Sequence, residues 1–177
     1  MNLEPTLIPG AYIVGLRRHE DDRGFFARAW CQREFEAHGL NPHIAQMNIS
    51  HSRERHTLRG LHFQAAPHEE DKLVRCVRGS AHFVLVDLRR DSPAYKRHIG
   101  VPLAAAAYGM LYVPKGCANG FLTLEDDTEI LYLISQFHAP AAERGIRWND
   151  PALRVTWPVA EPAVISDKDR NWPDFRG

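Results

Sequence analysis

A histidine stands inside a strand-like run, where its chemistry could supply a general base. The run is Thr57–Gln64, with the sequence TLRGLHFQ. Side chains alternate along a strand, so His62 takes one face and the odd-numbered residues take the other: Arg59, Leu61 and Phe63. A neutral imidazole is available near pH 7 and can accept a proton from carbon. For an isolated histidine, a hydrogen-bonded core residue is the favoured interpretation, so the run alone does not establish a site.

Arginines are concentrated in two parts of the chain: Arg17, Arg18, Arg23, Arg28 and Arg33, then Arg53, Arg55 and Arg59. Guanidinium groups bind phosphate oxygens well, so the clusters could hold a small polyanion such as a pyrophosphate. They could equally form a solvated basic edge. Spacing alone leaves the two interpretations even.

The 10 histidines of the chain raise the question of a metal. Residues 109–116, GMLYVPKG, resemble the second motif of the cupin superfamily, whose barrels often bind metal through histidines. The ligand position after that motif holds Asn119, and His62 is followed by Phe63 and Gln64 rather than by a paired histidine. A lone imidazole cannot fill a metal's coordination sphere. The sequence therefore predicts a cupin-like barrel without a bound metal.

Bulk composition narrows the class of partner. The chain has 177 residues, with 22 basic and 22 acidic side chains and no net charge. Nucleic-acid binders usually carry a basic excess, so no nucleic acid is expected. The 3 cysteines lack metal spacing, and no signal peptide or membrane-length apolar run is visible. We expect one domain over residues 1–177, a cytoplasmic location, no membrane contact and a dissolved small-molecule partner.

Most of the chain reads as short strands separated by turn residues, which is typical of an all-β jelly-roll barrel. The predicted strands are 12–16, 44–50, 57–63, 73–77, 82–88, 110–113, 121–124 and 130–134. Helices are few and short. One is predicted over residues 32–38, ended by Gly39, and a single turn over residues 139–144, with Pro140 near its start.

Short motifs along nearly the whole chain carry a family resemblance. After TLRGLHFQ come KLVR at 72–75, RG at 78–79, DLR at 87–89, DSP at 91–93, YVP at 112–114, GFL at 120–122, EILY at 129–132, RGIRWNDP at 144–151 and ISDKDR at 165–170. In this order they resemble the dTDP-4-dehydrorhamnose 3,5-epimerase family. The resemblance implies a jelly-roll barrel, usually dimeric, that works without metal or organic cofactor. It implies an isomerase that inverts C3, C5 or both beside the ketone of a nucleotide-linked 4-keto-6-deoxy sugar.

The resemblance assigns catalytic roles to three side chains. His62 is the base, and Asp169 hydrogen-bonds its far nitrogen and fixes the tautomer. Tyr132 is the acid that returns a proton from the opposite face, because one group working alone would return it to the same face. Without the resemblance, Tyr132 reads as a half-buried strand aromatic and Asp169 as a helix-capping or surface carboxylate.

Further positions match substrate-binding residues of that family: Arg23, Phe26, Gln46, Asn48, Arg59, Lys72, Asn119, His138, Glu143 and Lys168. Lys72 and Arg59 are expected near the sugar's oxygen and the phosphates, where fixed positive charge stabilises a developing oxyanion. Arg23 and Phe26 match a loop that often meets the nucleotide from the partner subunit. Taken alone, Lys72 reads as an exposed strand charge and Phe26 as a core residue.

Three positions depart from the family pattern. Asn119 stands where the family has a histidine. Its amide can hydrogen-bond a sugar or enolate oxygen but cannot carry charge, so we expect a change in the epimerisation rate or in which carbon is inverted. Arg28 replaces a glutamate that faces the base, which opens recognition of a base other than thymine. His138 replaces a tyrosine and stacks with less area.

The leading hypothesis is a nucleotide-sugar epimerase, and three alternatives remain. An isomerase that shifts the keto group would need the same base but another proton route. A catalytically silent sugar-nucleotide-binding barrel is disfavoured by His62, Tyr132 and Asp169 together. A metal-dependent cupin oxygenase would require a bound metal.

Overall fold

Two β-sheets face each other and are built mainly from antiparallel pairs of strands that are distant in sequence. The computed structural model describes residues 1–176. The strands are β1 (Asn2–Pro5), β2 (Tyr12–Gly15), β3 (Arg18–Asp21), β4 (Gly24–Ala27), β5 (Gln46–Ser52), β6 (Thr57–Gln64), β7 (Lys72–Arg78), β8 (Ser80–Asp87), β9 (His98–Ala104), β10 (Met110–Val113), β11 (Cys117–Thr123), β12 (Thr128–Ile134), β13 (Glu143–Gly145) and β14 (Val164–Ile165). The helices are α1 (Gln32–Ala37) and α2 (Asp167–Arg170), with a 3-10 turn at Ala105–Ala107.

The first sheet has the order β1-β2-β10-β7-β12-β5 and the second the order β13-β6-β11-β8-β9. Strand β14 adds to β6 in parallel, and β3 and β4 form a separate hairpin. The predicted all-β jelly roll with few short helices is confirmed.

The main core lies between the two sheets. Alternate residues of β7 and β10 meet residues of β8, β9 and β11 there, as expected when one strand face is buried. Phe83 and Phe121 stack at the centre with ring centroids 5.2 Å apart. These strands carry apolar residues at every second position, and burying them gives the barrel its main stabilisation.

Each sheet is also covered over part of its outer face. Helix α1 places Phe35 against Tyr112 of the first sheet, with ring centroids 5.8 Å apart. The segment after β13 covers the second sheet with Leu153 and partly buried Trp157. The cleft described below is lined by residues of β5 and β12 from the first sheet and of β6 from the second.

Local predictions were correct for most of the strands and for α1. Helix α1 ends one residue earlier than expected, and Gly39 follows with φ of +69°. The predicted single turn at 139–144 is present over most of its length, because the Glu143 amide donates to the Ala139 carbonyl at 3.1 Å. It ends sooner than predicted, since residues 143–145 pair with β6 as strand β13. Strands β1, β3, β4, β9, β13 and β14 were not predicted. Within residues 1–176, no helix has the length and apolar character needed to span a membrane.

Candidate active site

Strand β6 places the side chains of Arg59 and His62 on the same side of the sheet, although simple strand alternation would place an odd and an even residue on opposite faces. Pairing with β11 shifts register between Asn119 and Phe121, and Gly60 has φ of +121°. A Cβ on Gly60 would lie 2.6 Å from the Cα of Gly120, so only glycine permits this strand contact. As a result Arg59 and His62 line the same cavity, and the predicted placement of Arg59 on the opposite face is wrong.

His62 and Asp169 are in direct contact although 107 residues separate them. His62 Nε2 lies 2.5 Å from Asp169 Oδ1. The carboxylate also accepts hydrogen bonds from the Gly60 amide at 3.2 Å and from Trp172 Nε1 at 3.1 Å. Burial alone would raise the pKa of Asp169, but the hydrogen bonds and charge of His62, with those two further donors, hold it below its ordinary value.

The ionised Asp169 fixes how the imidazole is protonated. A carboxylate only accepts hydrogen bonds, so Nε2 of His62 carries the hydrogen that faces it. Nδ1 is then the nitrogen of neutral His62 with a free lone pair, and it has no hydrogen-bond partner among residues 1–176. The arrangement gives His62 a single basic atom.

The C-terminal segment is folded so that Asp169 points inward. Ser166 caps α2, with its Oγ accepting from the Asp169 amide at 3.1 Å. Trp172 packs directly on Gly145 of β13, where any Cβ would overlap the indole ring. The surface-carboxylate interpretation of Asp169 is therefore wrong, because its side chain is buried.

Two adjoining cavities, of about 210 and 170 Å³, form one cleft beside the imidazole. Both are lined by Asn48, His62, Lys72 and Ile134. The first also contains Arg59, Ser50, Asn119 and Tyr132, and the second contains Gln46, Gln64, Glu70, His138 and Glu143. A third cavity of about 400 Å³ adjoins the first at Arg59. The cleft is large enough for a sugar with an extended charged substituent.

Tyr132 reaches the cleft from the first sheet, whereas His62 comes from the second. Its hydroxyl lies 3.3 Å from Ser50 Oγ. Burial raises the pKa of Tyr132 to about 12, against smaller opposing effects from the Ser50 hydrogen bond and the charge of Arg59. At neutral pH this phenol holds its proton and can act as an acid rather than as a base.

Positive charge in the cleft comes from Lys72 and Arg59. Lys72 Nζ donates to Asn119 Oδ1 at 2.9 Å and pairs with Glu70 Oε1 at 2.9 Å. Arg59 is held by Ser52 Oγ at 3.3 Å and by the carbonyl of His51 at 3.0 Å. Both of these hydrogen-bond partners are uncharged, so the positive charge of Arg59 is not neutralised by them where it lines the cleft.

A second set of predicted binding residues meets at the other end of the cleft. Lys168 donates to Glu143 at 2.6 Å, and His138 Nε2 lies 3.5 Å from the same carboxyl group. The hydrogen bond from Lys168, opposed by burial and aided by the charges around it, lowers the pKa of Glu143. Gln46 Oε1 accepts from the His138 amide at 3.1 Å, so these side chains surround one opening.

Arg23 and Phe26 lie outside this cleft in their own chain. They belong to the β3–β4 hairpin, where the Arg23 side chain is 90% exposed and Phe26 is 72% exposed. Arg28 lines a separate hollow of about 240 Å³ with Phe26, Arg17 and His19, and its guanidinium is 3.3 Å from Glu34. The core interpretation of Phe26 is wrong, and the predicted contact with a nucleotide stays a prediction.

Several supporting residues were not predicted from the sequence. Glu70, Ser50 and Trp172 contact the expected site residues Lys72, Tyr132 and Asp169, and Gln64 donates to Glu70. Gln64 lies in the TLRGLHFQ run but was given no role there, and the other three belong to none of the motifs. The pattern of strand alternation could have pointed to Ser50, which shares a face of β5 with Asn48. Within residues 1–176, no group of three or more His, Cys, Asp or Glu side chains is placed to hold a metal ion.

Comparison with known proteins identifies the family. The model of the dTDP-4-dehydrorhamnose 3,5-epimerase family matches residues 5–177. The chain belongs to the dTDP-4-dehydrorhamnose 3,5-epimerase family. The epimerase of Shigella flexneri is 40% identical over 176 residues, covering 99% of this chain and 96% of the relative.

Solved structures of this epimerase family have the same fold. The Bacillus anthracis dTDP-4-dehydrorhamnose 3,5-epimerase, solved with TDP and PPi bound, superposes with a TM-score of 0.93 at 38% identity. That match covers 98% of this chain and 99% of the other. A 3'-monoepimerase from Streptomyces bikiniensis in complex with dTDP-quinovose gives a TM-score of 0.87 at 35% identity, covering 96% and 86% of the two chains. The expected family, with its epimerase and hence isomerase class, is confirmed.

Proposed function

We propose that the protein is an epimerase that inverts C3, C5 or both beside the 4-keto group of a dTDP-linked 4-keto-6-deoxy sugar. The observation that carries the proposal is the His62–Asp169 pair, at 2.5 Å, facing a cavity that Tyr132 also lines. In solved structures the Bacillus anthracis 3,5-epimerase binds TDP and PPi, and the Streptomyces bikiniensis 3'-monoepimerase binds dTDP-quinovose.

Free thiols at Cys31, Cys76 and Cys117 support a cytoplasmic location.

In the first half of the reaction His62 Nδ1 removes the proton on the carbon next to the ketone. The C–H electron pair forms the new C=C bond of the enolate, and the carbonyl π pair moves onto the sugar oxygen. Asp169 stabilises the imidazolium that results, as a buried carboxylate does for other catalytic histidines. Lys72, Asn119 and Arg59 line the side of the cavity where the oxyanion can be stabilised.

In the second half Tyr132 gives its phenolic proton to the same carbon from the other face. The two groups come from facing sheets, His62 from β6 and Tyr132 from β12, which is the arrangement that inversion requires. The raised pKa of Tyr132, about 12, keeps the proton in place until the electron-rich enolate forms. Solvent then returns a proton to the phenolate and takes one from the imidazolium.

The opening around Gln46, His138, Glu143 and Lys168 supports binding of the nucleotide diphosphate. Lys168 provides a cationic donor for phosphate oxygens at this opening. The hairpin residues Arg23 and Phe26 would complete that site only from a second protomer, because they lie outside the cleft of their own chain.

A homodimer is part of the proposal. Strand β5 is the edge of the first sheet and exposes Met47 at 65% and Ile49 at 63%, and Phe26 adds an exposed aromatic ring. Exposed apolar groups of this size mark protein interfaces. Light scattering of the purified protein is expected to give twice the chain mass, and a monomeric mass would contradict this part of the proposal.

The deciding experiment follows the substrate by NMR in heavy water. The protein is mixed with dTDP-, CDP- and GDP-linked 4-keto-6-deoxy sugars, and the exchange of protons at C3 and C5 is recorded. Exchange with inversion of the dTDP-sugar is expected. The relative rates test whether Arg28 and His138 change the preferred base, and the similarity to a 3'-monoepimerase makes exchange at C3 alone a defined second outcome.

Tyr132→Phe separates an epimerase from a keto-isomerase or a silent binding barrel. Removing the phenol proton should abolish inversion while His62 still exchanges the α-proton with solvent. The measurement is the product configuration by NMR beside the rate of deuterium incorporation. Unchanged inversion in this variant would remove Tyr132 from the mechanism, and migration of the keto group in the unmodified protein would favour the isomerase.

A further inference from the structure

Glu70 is a carboxylate inside the cleft that the mechanism above does not use. It lies two residues before Lys72, in the short segment that connects β6 to β7. Its Oε1 pairs with Lys72 Nζ at 2.9 Å, and both side chains are only 11% exposed. Its Oε2 accepts from Gln64 Nε2 at 3.0 Å. Both carboxylate oxygens of Glu70 are therefore engaged within the cleft wall.

Gln64 fixes Glu70 from behind. Its NH2 group also lies 2.9 Å from the His68 carbonyl and 3.2 Å from the Phe137 carbonyl, so its two hydrogens are shared among three acceptors, and its oxygen accepts from the Ala139 amide at 2.6 Å. The buried Gln64 thus has little freedom to rotate. A carboxylate held by such a group keeps one position.

The hydrogen-bond capacity of Lys72 shows what Glu70 achieves. An ammonium group has three donors and no acceptor. Lys72 donates to Asn119 Oδ1 at 2.9 Å and forms an ion pair with Glu70 Oε1 at 2.9 Å. No other group among residues 1–176 pairs with the ammonium, which lines both parts of the cleft, so at least one N–H remains for a ligand. Glu70 and Asn119 therefore aim one remaining N–H of Lys72 into the cleft.

The same contact orients Asn119. Because an ammonium cannot accept a hydrogen bond, the amide oxygen must face Lys72 and the NH2 group must face away from it. That NH2 group has no hydrogen-bond partner among residues 1–176, while Asn119 pairs in register with His62 on the neighbouring strand. A second donor thus lies beside the base.

We propose that Glu70 is a positioning residue, which holds Lys72 so that its free N–H and the Asn119 amide together bind the sugar's carbonyl oxygen and the enolate formed from it. This inference rests on the proposed epimerase function. Preorganised donors at the site of developing charge are effective because they need no rearrangement during the reaction. Because the carboxylate of Glu70 neutralises much of the ammonium charge, Lys72 stabilises the enolate mainly through the position of its N–H donor.

The test is a double-mutant cycle on Glu70 and Lys72. Glu70→Gln keeps the shape and removes the charge, and Glu70→Ala removes both. Each should lower kcat by roughly ten- to hundredfold because small misplacements of a catalytic donor have effects of this size. KM should change little, and calorimetric affinity for dTDP, which lacks the sugar, should be unchanged. The matched control is Glu69→Gln, which removes a neighbouring carboxylate without altering the Lys72 contact.

In a Lys72→Met background the Glu70 changes should cause no further loss of the α-proton exchange measured by NMR in heavy water. An equal loss in that background, or an unchanged kcat for Glu70→Gln, would overturn the role of Glu70. A loss of dTDP affinity in step with kcat would show a general structural defect and would also overturn it. The proposed function fails separately, if the unmodified protein exchanges no α-proton.

Discussion

Two buried carboxylates of this molecule have similar surroundings and different uses. Asp87, at the end of β8, accepts from Arg89 Nε at 2.9 Å and Nη2 at 2.7 Å and from Ser92 Oγ at 2.5 Å. Asp169 accepts from His62, Gly60 and Trp172. Burial would raise the pKa of each, and in each case the hydrogen bonds win and lower it. Burial and a lowered pKa therefore do not distinguish Asp169, for which we propose a role in catalysis, from the structural carboxylate Asp87.

The difference lies in the partner. Besides binding Asp87, Arg89 donates from Nη2 to the Pro9 carbonyl at 2.8 Å, and this hydrogen bond links the β1–β2 turn to the barrel. His62 has a second ring nitrogen free and faces a cavity of about 210 Å³. A guanidinium stays charged, whereas an imidazole can gain and lose a proton near pH 7. A buried carboxylate supports catalysis when its partner still has an unused titratable atom.

Of the substitutions that test this difference between Asp169 and Asp87, His62→Ala is expected to cause the largest loss of activity. It removes the free nitrogen, so the exchange of substrate α-protons in heavy water should fall by about 10⁴-fold, the upper end of what a positioned proton-transfer group contributes. The fold should persist, as judged by circular dichroism. His82→Ala is the matched control, since His82 is another half-buried imidazole but lies outside the cleft. Full exchange in His62→Ala would end the assignment of the base.

Asp169→Asn should lower kcat by roughly 10²–10⁴-fold, because an amide neither fixes the imidazole tautomer nor stabilises the imidazolium. It should also cost stability at pH 7, since a lowered folded-state pKa means that ionised Asp169 stabilises the fold above the unfolded value. That stability is lost as pH falls below about 4 and through the folded pKa. Urea unfolding of both proteins at pH 7 and pH 3 should show the gap narrowing, and a gap that widens toward acid would contradict the pKa direction.

Asp87→Asn should leave kcat essentially unchanged while destabilising the fold by about 3 kcal/mol, because it breaks one side of a buried ion pair. For a chain of this size the melting temperature should fall by roughly 6–12 °C. The measurement pairs thermal unfolding with the rate of epimerisation at 25 °C. A large loss of kcat in a folded Asp87→Asn protein would mean that the two carboxylates are less distinct than their partners suggest.

Much of the framework was predictable from the sequence because it depends on local patterns. The runs around Thr57–Gln64 and Met110–Val113 alternate or cluster apolar residues in ways that strands require. The turn predicted at 139–144 forms over residues 139–143, but strand β13 was missed because only its pairing with β6 makes residues 143–145 extended. His98–Ala104 was missed because Gly100 and Pro102 weaken its strand signal, and its antiparallel pairing with β8 overrides that local signal.

The site was predictable only as a set of residues and not as an arrangement. Sequence motifs named His62 and Asp169, but their contact depends on a chain reversal through β14 and α2 that no local pattern specifies. Arg59 was placed on the opposite face, because strand alternation does not include the irregular pairing at Gly60. Glu70 was missed since a carboxylate in an acidic run before a strand, here residues 69–71, is ordinarily solvated, and only the fold surrounds it with Gln64 and Lys72.

The position of Asp169 in the chain also sets the order in which the protein matures during synthesis. All fourteen strands precede α2, so the ribosome finishes every strand of the barrel before it adds the carboxylate that orients His62. A nascent chain that has emerged only to Ile165 would already contain the cleft residues from both sheets but could not hold the imidazole in one tautomer. The last segment therefore brings both Asp169 for the imidazole and Lys168 for the proposed phosphate site, so neither turnover nor full substrate binding is expected before α2 is in place.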